Sequence, residues 1–420
     1  MNLLDTNMSS TDNRFRRSQE LFSRAAKVIP GGIYGHAGPA VALPGAFPYY
    51  AERARGCRYW DVDGNEYIDY LCGYGPMILG HQHPEVEAAA ARQQRDALCL
   101  NHPGPVMVEL AERLVSLVEF SAWAVFGKNG SDMTTWSLQV AREHTKRRKI
   151  LKVAGAYHGI GAWCTPGHAG LLEEDRTHIH DFNWNDIESF EGLLKQFRGD
   201  IAGVIMTPFH HPTFQVSQMP APGFWSHIET ACRREGIVLI LDDIRAGFRL
   251  DLGGSHKFFG FEPDLICFCK AIANGHPLSA TLGRKELRIA ASKVFLTGSY
   301  WNGPAAMAAS MACLEIMQKD DTVSTVRRMG EMLMDGLVEA GRKHGYAMIA
   351  SGPPAVPFLS FADDPSLRRQ QRFCAEVTRR GALFHPHHNW FLSAAHTPQD
   401  ITATLRMARE AFAVIRDEGL

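Results

Sequence analysis

No run of this sequence is apolar for long enough to cross a bilayer, and no charge of one sign prevails: 44 Lys and Arg stand against 45 Asp and Glu. A balance near zero gives the chain no general attraction for nucleic acid or an anionic membrane surface. There is no internal repeat and no low-complexity tract. The opening residues, MNLLDTNMSSTDNRFRR, lack the charged start, apolar run and small-residue cleavage site of a secretory signal. The nine cysteines (Cys57, Cys72, Cys99, Cys164, Cys232, Cys267, Cys269, Cys313 and Cys374) are odd in number and without framework spacing. They predict free thiols in a reducing cytoplasm, several of them small buried hydrophobes. No Cys or His spacing matches a zinc module, so no metal is expected.

What is there is an ordinary globular composition, 45% hydrophobic and 21% charged over 420 residues. That length supports one large domain and a smaller one. Residues 13–28 carry apolar positions at helical spacing, closed by Pro30-Gly31-Gly32. Residues 35–48, rich in Gly, Ala and Pro, read as a loop. Residues 57–60 and 67–70 read as strands joined by an Asp63-Gly64 turn. From about residue 105 to 315, helical stretches alternate with short apolar runs at 123–126, 150–153, 201–206, 237–241 and 265–269. Runs apolar on both faces are buried strands of a mostly parallel sheet covered by helices. After about 315, amphipathic helices at 320–344 and 400–418 flank strand-like pieces at 357–361 and 390–393. The expected division is an N-terminal segment, 1–75, joined to a C-terminal small α+β domain, 316–420, with a large domain at 76–315.

In open α/β sheets, ligand groups gather beyond the carboxyl ends of the strands, so the residues just after each run carry the chemistry. After the first run comes KNGSDM, residues 128–133, ahead of a helix at 134–145. A Gly130-Ser131 turn opening a helix offers free N–H groups and a positive dipole end, an anion site suited to a phosphate; alternatively Ser131 or Asp132 merely caps the helix. Asp242 ends five apolar residues and is followed by Asp243. A buried carboxylate needs a partner, either a structural ion pair with Arg245 or Arg249 or a protonated heterocyclic nitrogen. Lys270 ends another apolar run and precedes small residues. It either snorkels to solvent or is a desolvated amine with a lowered pKa, usable as a nucleophile. A phosphate cradle, a ring-nitrogen carboxylate and a buried lysine are together the parts that pyridoxal 5′-phosphate (PLP) needs. About 28 residues separate Asp242 from Lys270, which fits one strand–helix–strand step.

From about residue 15 onward the sequence resembles the class III aminotransferases of fold type I, and among them the glutamate-1-semialdehyde aminomutase-like branch. The opening LFSRAAKVIPGG (21–32), the hairpin WDVDGNEYID (60–69), the turn GHQHP (80–84) and the tail SAAHTPQDI (393–401) carry the resemblance. So do the phosphate loop at 128–133, the YHG at 157–159 and the stretch LDDIRAGFR at 241–249. The resemblance implies a PLP-dependent aminotransferase with a seven-stranded, mostly parallel sheet and a smaller α+β domain. It implies that Lys270 forms the Schiff base and is the catalytic acid–base. Asp242 would meet the pyridine nitrogen, with Tyr157, beside His158, and Ile244 on the two faces of the ring. Gly130 and Ser131 would hold the phosphate. Gly298 and Ser299 match a segment that reaches the phosphate of a neighbouring subunit, so a homodimer with shared sites is implied.

The departures concern the substrate. Where the aminomutase carries an arginine for a carboxylate, this chain reads IYGHAGP at 33–39. Thr207-Pro208 replaces a common Glu-Pro, and Arg245 stands where Gln is frequent. A second cluster, HPHHNW at 385–390, falls where the small domain approaches the site. His36, Tyr74, His210 and His387 are the candidates to hydrogen-bond a polyhydroxylated or cyclic substrate; alternatively they cap loops or fill an interface. The expected reaction moves an amino group between an amine donor and a keto or aldehyde acceptor, in small-metabolite or natural-product biosynthesis. Two rivals use the same residues differently: an intramolecular aminomutase, and a non-catalytic ligand- or partner-binding protein on the same fold.

Overall fold

The computed structural model describes residues 13–33, 39–212 and 214–420. The five apolar runs all form strands: β4 (Trp123–Gly127), β5 (Lys149–Val153), β7 (Ile201–Met206), β8 (Val238–Asp242) and β9 (Leu265–Phe268). They follow β1 (Ala51–Arg55), β2 (Arg58–Asp61) and β3 (Glu66–Asp69), with β6 (Ile179–Phe182) and β10 (Ser279–Gly283) completing a seven-stranded sheet. Its order is β4-β10-β9-β8-β7-β5-β6. β10 is antiparallel to both of its neighbours, and the β9-β8-β7-β5-β6 pairs are parallel.

Uniformly apolar strands are explained by two cores, one on each face. Along β8, Leu239 and Leu241 enter one core while Val238 and Ile240 enter the other. β9 divides Ile266 and Phe268 from Leu265 and Cys267 in the same way. Period-two alternation is present, but both sets are buried. The helix Gly130–Thr145 covers one face through Trp136, Leu138 and Val140. Helices Phe224–Glu235 and Pro304–Lys319 cover the other through Ile228, Ala309 and Cys313.

β6 and β10 have no apolar run to announce them. β6 is an edge strand with only Phe182 buried. β10 reads SATLG because there is no room for more: a Cβ at Gly283 would stand 2.2 Å from the Trp123 ring.

A second assembly joins the ends of the chain. β1, β2 and β3 form an antiparallel meander, turned between β2 and β3 at Gly64 (φ +86°). β11 (Met348–Ser351) and β12 (Phe358–Phe361) form a hairpin, and β13 (Ala382–Leu383) pairs parallel to β3. Helices Thr322–Lys343, Arg368–Arg380 and Pro398–Asp417 pack around Phe373 and Phe412, whose rings stack at 4.4 Å. This core also holds Phe15, Tyr67 and Tyr70 from the N-terminal segment.

Three expectations are corrected. Residues 390–393 form no strand: the Trp390, Phe391 and Leu392 N–H groups donate to the carbonyls of Pro357, Tyr70 and Ala355 in turn, so no single partner strand exists. The first helix is Arg16–Ala25 behind a 3₁₀ turn, ending before Pro30 because 26–29 fold into successive turns. The loop at 35–48 contains one helical turn, Pro39–Ala42.

Candidate active site

β4 and β9 both run opposite to β10, so the carboxyl ends of β4, β5, β7, β8 and β9 share one edge of the sheet. A cavity of about 730 Å³ opens there, lined by Gly130, Ser131, Tyr157, His158, Asp242, Ile244 and Lys270. Seven residues expected from sequence to hold one cofactor thus meet on one wall, as the strand-end rule requires.

The helix after β4 begins at Gly130, not at 134. That places Gly130 and Ser131 in its first turn, where backbone N–H groups lack intrahelical partners. The cap is made by Asp132, whose Oδ2 accepts from the N–H groups of Lys128 (3.1 Å) and Asn129 (2.8 Å). Ser131 does something else: its Oγ accepts from the Ile160 N–H at 3.1 Å, tying the helix start to the loop after β5. Gly130 has no space for a side chain, since a Cβ would lie 2.5 Å from Ile244 Cδ1. Gly159 (φ +118°) would strike Ser131 Oγ at 2.2 Å. Both glycines let backbone approach closely around the helix start, which fits a phosphate cradle.

Asp242 does not pair with Arg245 or Arg249. Its Oδ2 accepts from His158 Nδ1 at 2.7 Å, and its Oδ1 accepts from the Ile244 N–H at 3.2 Å. His158 is buried, lies 5.8 Å from the Trp163 ring in a stacked arrangement, and its carbonyl accepts from Thr134 Oγ1 at 2.8 Å. Its Nε2 is buried without a partner among the described residues. Arg249 instead donates to the Gly75 carbonyl and lies 5.2 Å over the Phe391 ring. Burial pushes its pKa down to about 10.

Lys270 sits at the mouth of β9 with φ +49°, a left-handed conformation that costs a non-glycine residue about 1–3 kcal/mol. Burial lowers its pKa to about 7; the positive charge of Arg245 also lowers it, Cys269 raises it, Arg249 lowers it and Asp242 raises it. Near neutral pH this amine is therefore substantially unprotonated and nucleophilic.

The remaining candidates lie elsewhere. Gly298 and Ser299 are off the cavity wall, although their neighbours Leu296, Thr297 and Trp301 line it. Ser299 is exposed, and its carbonyl accepts from Cys99 Sγ at 3.1 Å. His36 lies outside the described residues. Tyr74, His210 and His387 do not line the cavity. Tyr74 meets the rings of His385 and His388 edge-on, His210 stacks on Trp184, and His387 bonds Gln371 at 2.9 Å. Each is held by its own local partners instead, because loop side chains follow local packing rather than any sequence period. Arg245, Gln139, Thr207 and Trp301 do line the cavity; of these the sequence marks Arg245 and Thr207 as departures bearing on the substrate, and gives no signal for Gln139 or Trp301. Among the described residues no group of three or more His, Cys, Asp and Glu is placed to hold a metal ion.

The residues present fit PLP: a helix start for the phosphate, a buried carboxylate for the ring nitrogen and a neutral amine for the aldehyde. Comparison with known proteins agrees. The profile of the aminotransferase class-III family matches residues 43–397. The chain is 42% identical over 402 residues to an aminopentol aminotransferase of Sphingopyxis macrogoltabida, covering 96% of this chain and 95% of that one. It is 32% identical to a 3-aminobutyryl-CoA aminotransferase of Cloacimonas acidaminovorans (strain Evry), covering 96% and 98%. The solved PLP internal aldimine form of the FumI protein of Sphingopyxis sp. MTA144 superposes with a TM-score of 0.93 at 42% identity, covering 96% of this chain and 98% of that one.

Proposed function

The chain belongs to the class III aminotransferases, a PLP-dependent family, and from that premise we propose that its amine substrate carries no carboxylate on the amine-bearing carbon. The segment at 33–39 offers no arginine. The aminotransferases of Sphingopyxis and Cloacimonas act by name on an aminopentol and on an acyl-CoA thioester. Small-metabolite chemistry of that kind, in the cytoplasm, is the role we assign.

PLP supplies an aldehyde that takes the nitrogen and a ring that accepts electrons from the carbon losing its proton. The chain supplies the rest. Lys270 Nζ would hold the cofactor, give it up to the incoming amine, and then carry the proton between the substrate carbon and the cofactor carbon as general acid–base. Asp242, steadied by His158, would pair with the ring nitrogen and keep it protonated. Tyr157 and Ile244 would bound the ring, and Gly130 with Ser131 would receive the phosphate. The observation that carries this reading is the meeting of Lys270, the Asp242–His158 pair and the helix start at Gly130 around one cavity.

The Gly298–Ser299 segment, with Ser299 exposed, we assign to the site of a second copy in a homodimer. In support, large apolar side chains beside it are uncovered, Phe295 at 84% and Tyr300 at 73%. We assign 1–75 with 316–420 to one small domain and 76–315 to the large one. The β3–β13 pairing, which brings the chain ends into one sheet, supports that division.

The test is a visible absorbance spectrum of the purified protein beside Lys270→Ala, each offered a panel of amines with and without a carboxylate. The expected wild type is yellow, bleaches with carboxylate-free amines and releases the carbonyl product, while the variant does neither. A product retained on the enzyme and returned as a rearranged amine would instead mark an aminomutase.

A further inference from the structure

The cavity wall carries a cation that takes no part in this proton and nitrogen transfer. Arg245 lines the cavity together with Lys270, Asp242 and Tyr157. Among the described residues no carboxylate pairs with it. Asp242 is taken by His158 at 2.7 Å, and Asp243 is turned to the Ser255 N–H at 2.7 Å. Thr207, on the same wall, donates its hydroxyl to the Phe209 carbonyl at 2.8 Å and brings no negative charge.

The residues behind it do not compete. His211 Nε2 accepts from the Asn389 N–H at 3.1 Å, leaving Nδ1 to donate to Ser217 Oγ at 2.8 Å, so that ring is neutral. Burial, with Arg245 next, pushes His210 down to about 4, His211 to about 2 and His388 well below the ordinary histidine range. The wall therefore presents one permanent cation backed by neutral imidazoles. Arg245 is half-buried on this wall, and the carboxylate that attracts it, Asp242, is already hydrogen-bonded to His158; an anion entering the cavity would give the guanidinium a direct partner.

We propose that Arg245 is the anion anchor of this active site, binding the carboxylate of a 2-oxo acid acceptor and so selecting which molecules receive the amino group. In a 2-oxo acid the carboxylate is bonded directly to the carbonyl carbon that takes the nitrogen. Its anchor must therefore stand close to the lysine, and Arg245 lines the same cavity as Lys270. The planar guanidinium matches a carboxylate with two parallel hydrogen bonds. The inference rests on the aminotransferase reading: one side of the reaction is a carboxylate-free amine, and the other side, on this view, is an acid.

The experiment compares wild type with Arg245→Gln and Arg245→Lys as holoenzymes. Each is first converted to its amino-loaded form, then mixed with pyruvate or with propanal, which lacks the carboxylate; return of the visible band is followed. The ratio of kcat/KM for pyruvate to that for propanal should fall about 10- to 100-fold in the Gln variant, the range for losing hydrogen bonds to a charged group, and recover partly in the Lys variant. Separately, lactate, which has the same carboxylate but no carbonyl, is titrated calorimetrically into each holoenzyme. It should bind the wild type and bind the Gln variant at least about tenfold more weakly. Equal losses on pyruvate and propanal would place Arg245 on the cofactor and overturn the proposal. An unchanged ratio with undiminished lactate binding would overturn it too. A wild type that takes nitrogen from no amine would refute the aminotransferase reading instead, and the lactate titration would still decide the anchor.

Discussion

At the scale of the residue, the chemistry turns on charges that burial has altered. An ordinary lysine becomes a free amine only near pH 10.5; Lys270, held to about 7, does so at neutral pH. The rate at which apoprotein captures PLP should therefore rise with pH up to about 7 and level off above it, as read from the growth of the visible band. Arg245→Gln removes a neighbouring positive charge, so it should move that midpoint upward. Asp242 depends on one side chain, His158, at 2.7 Å. His158→Phe should lower turnover about 10- to 100-fold, the weight of a hydrogen bond to a charged group, and His158→Gln, which can still donate, should restore part of it. A pH titration of the visible band in each variant checks that the loss comes from the ring nitrogen and not from unfolding.

At the scale of the element, the helix Gly130–Thr145 meets the turn after β8 with no slack. A Cβ at position 130 would stand 2.5 Å from Ile244 Cδ1. Gly130→Ala should therefore push the helix start away from the cavity and weaken PLP binding by about tenfold or more. The double variant with Ile244→Ala, which removes the obstructing methyl groups, should regain part of the loss. A double-mutant cycle on PLP affinity, read by absorbance or fluorescence, isolates that coupling. The same scale shows where sequence patterns fail. β7, β8 and β9 were legible because both faces are buried and the apolar run is unbroken. β10 was not, because SATLG is short and polar at Ser279 and Thr281, and Gly283 at its end is held to glycine by the Trp123 ring. β1, with the sequence AERAR, has almost nothing buried and no alternation to read.

At the scale of the whole molecule, buried titratable groups set how the fold responds to acid. Burial holds His210, His256 and His396 at about 4 and His211 at about 2. Between about pH 6.5 and 4 the unfolded chain binds a proton at each and the folded chain does not, so stability falls as pH falls through that window. Asp243 acts the other way. Burial raises it to about 7, so the folded protein keeps a proton that the unfolded chain releases above about 3.8, and that contribution is lost as pH rises. Four histidines outweigh one aspartate, at about 1.4 kcal/mol per pH unit for each net proton. Urea midpoints measured from pH 7.5 to 4.5 should fall steadily. His256→Gln, remote from the cavity, should flatten the slope by roughly one proton.

The sequence by itself determined the succession of buried strands along the chain, the lysine and aspartate at their ends and the glycine-serine pair that opens the helix after β4. Each of these is local: a run of apolar residues fixes a buried strand, and the polar residue that ends it must emerge at the carboxyl edge. The family resemblance rests on the same local motifs. What only the tertiary structure decided are partnerships between distant segments. Asp242 met His158 rather than a nearby arginine. The histidines chosen as substrate contacts turned to Trp184 and Gln371 instead of the cavity. Arg245, read in sequence as a possible partner of Asp242 and as a departure bearing on the substrate, came to line the cavity. A hydrophobic period says which residues are buried, but side chains far apart in sequence find each other only when the packed sheet and helices set the distance between them.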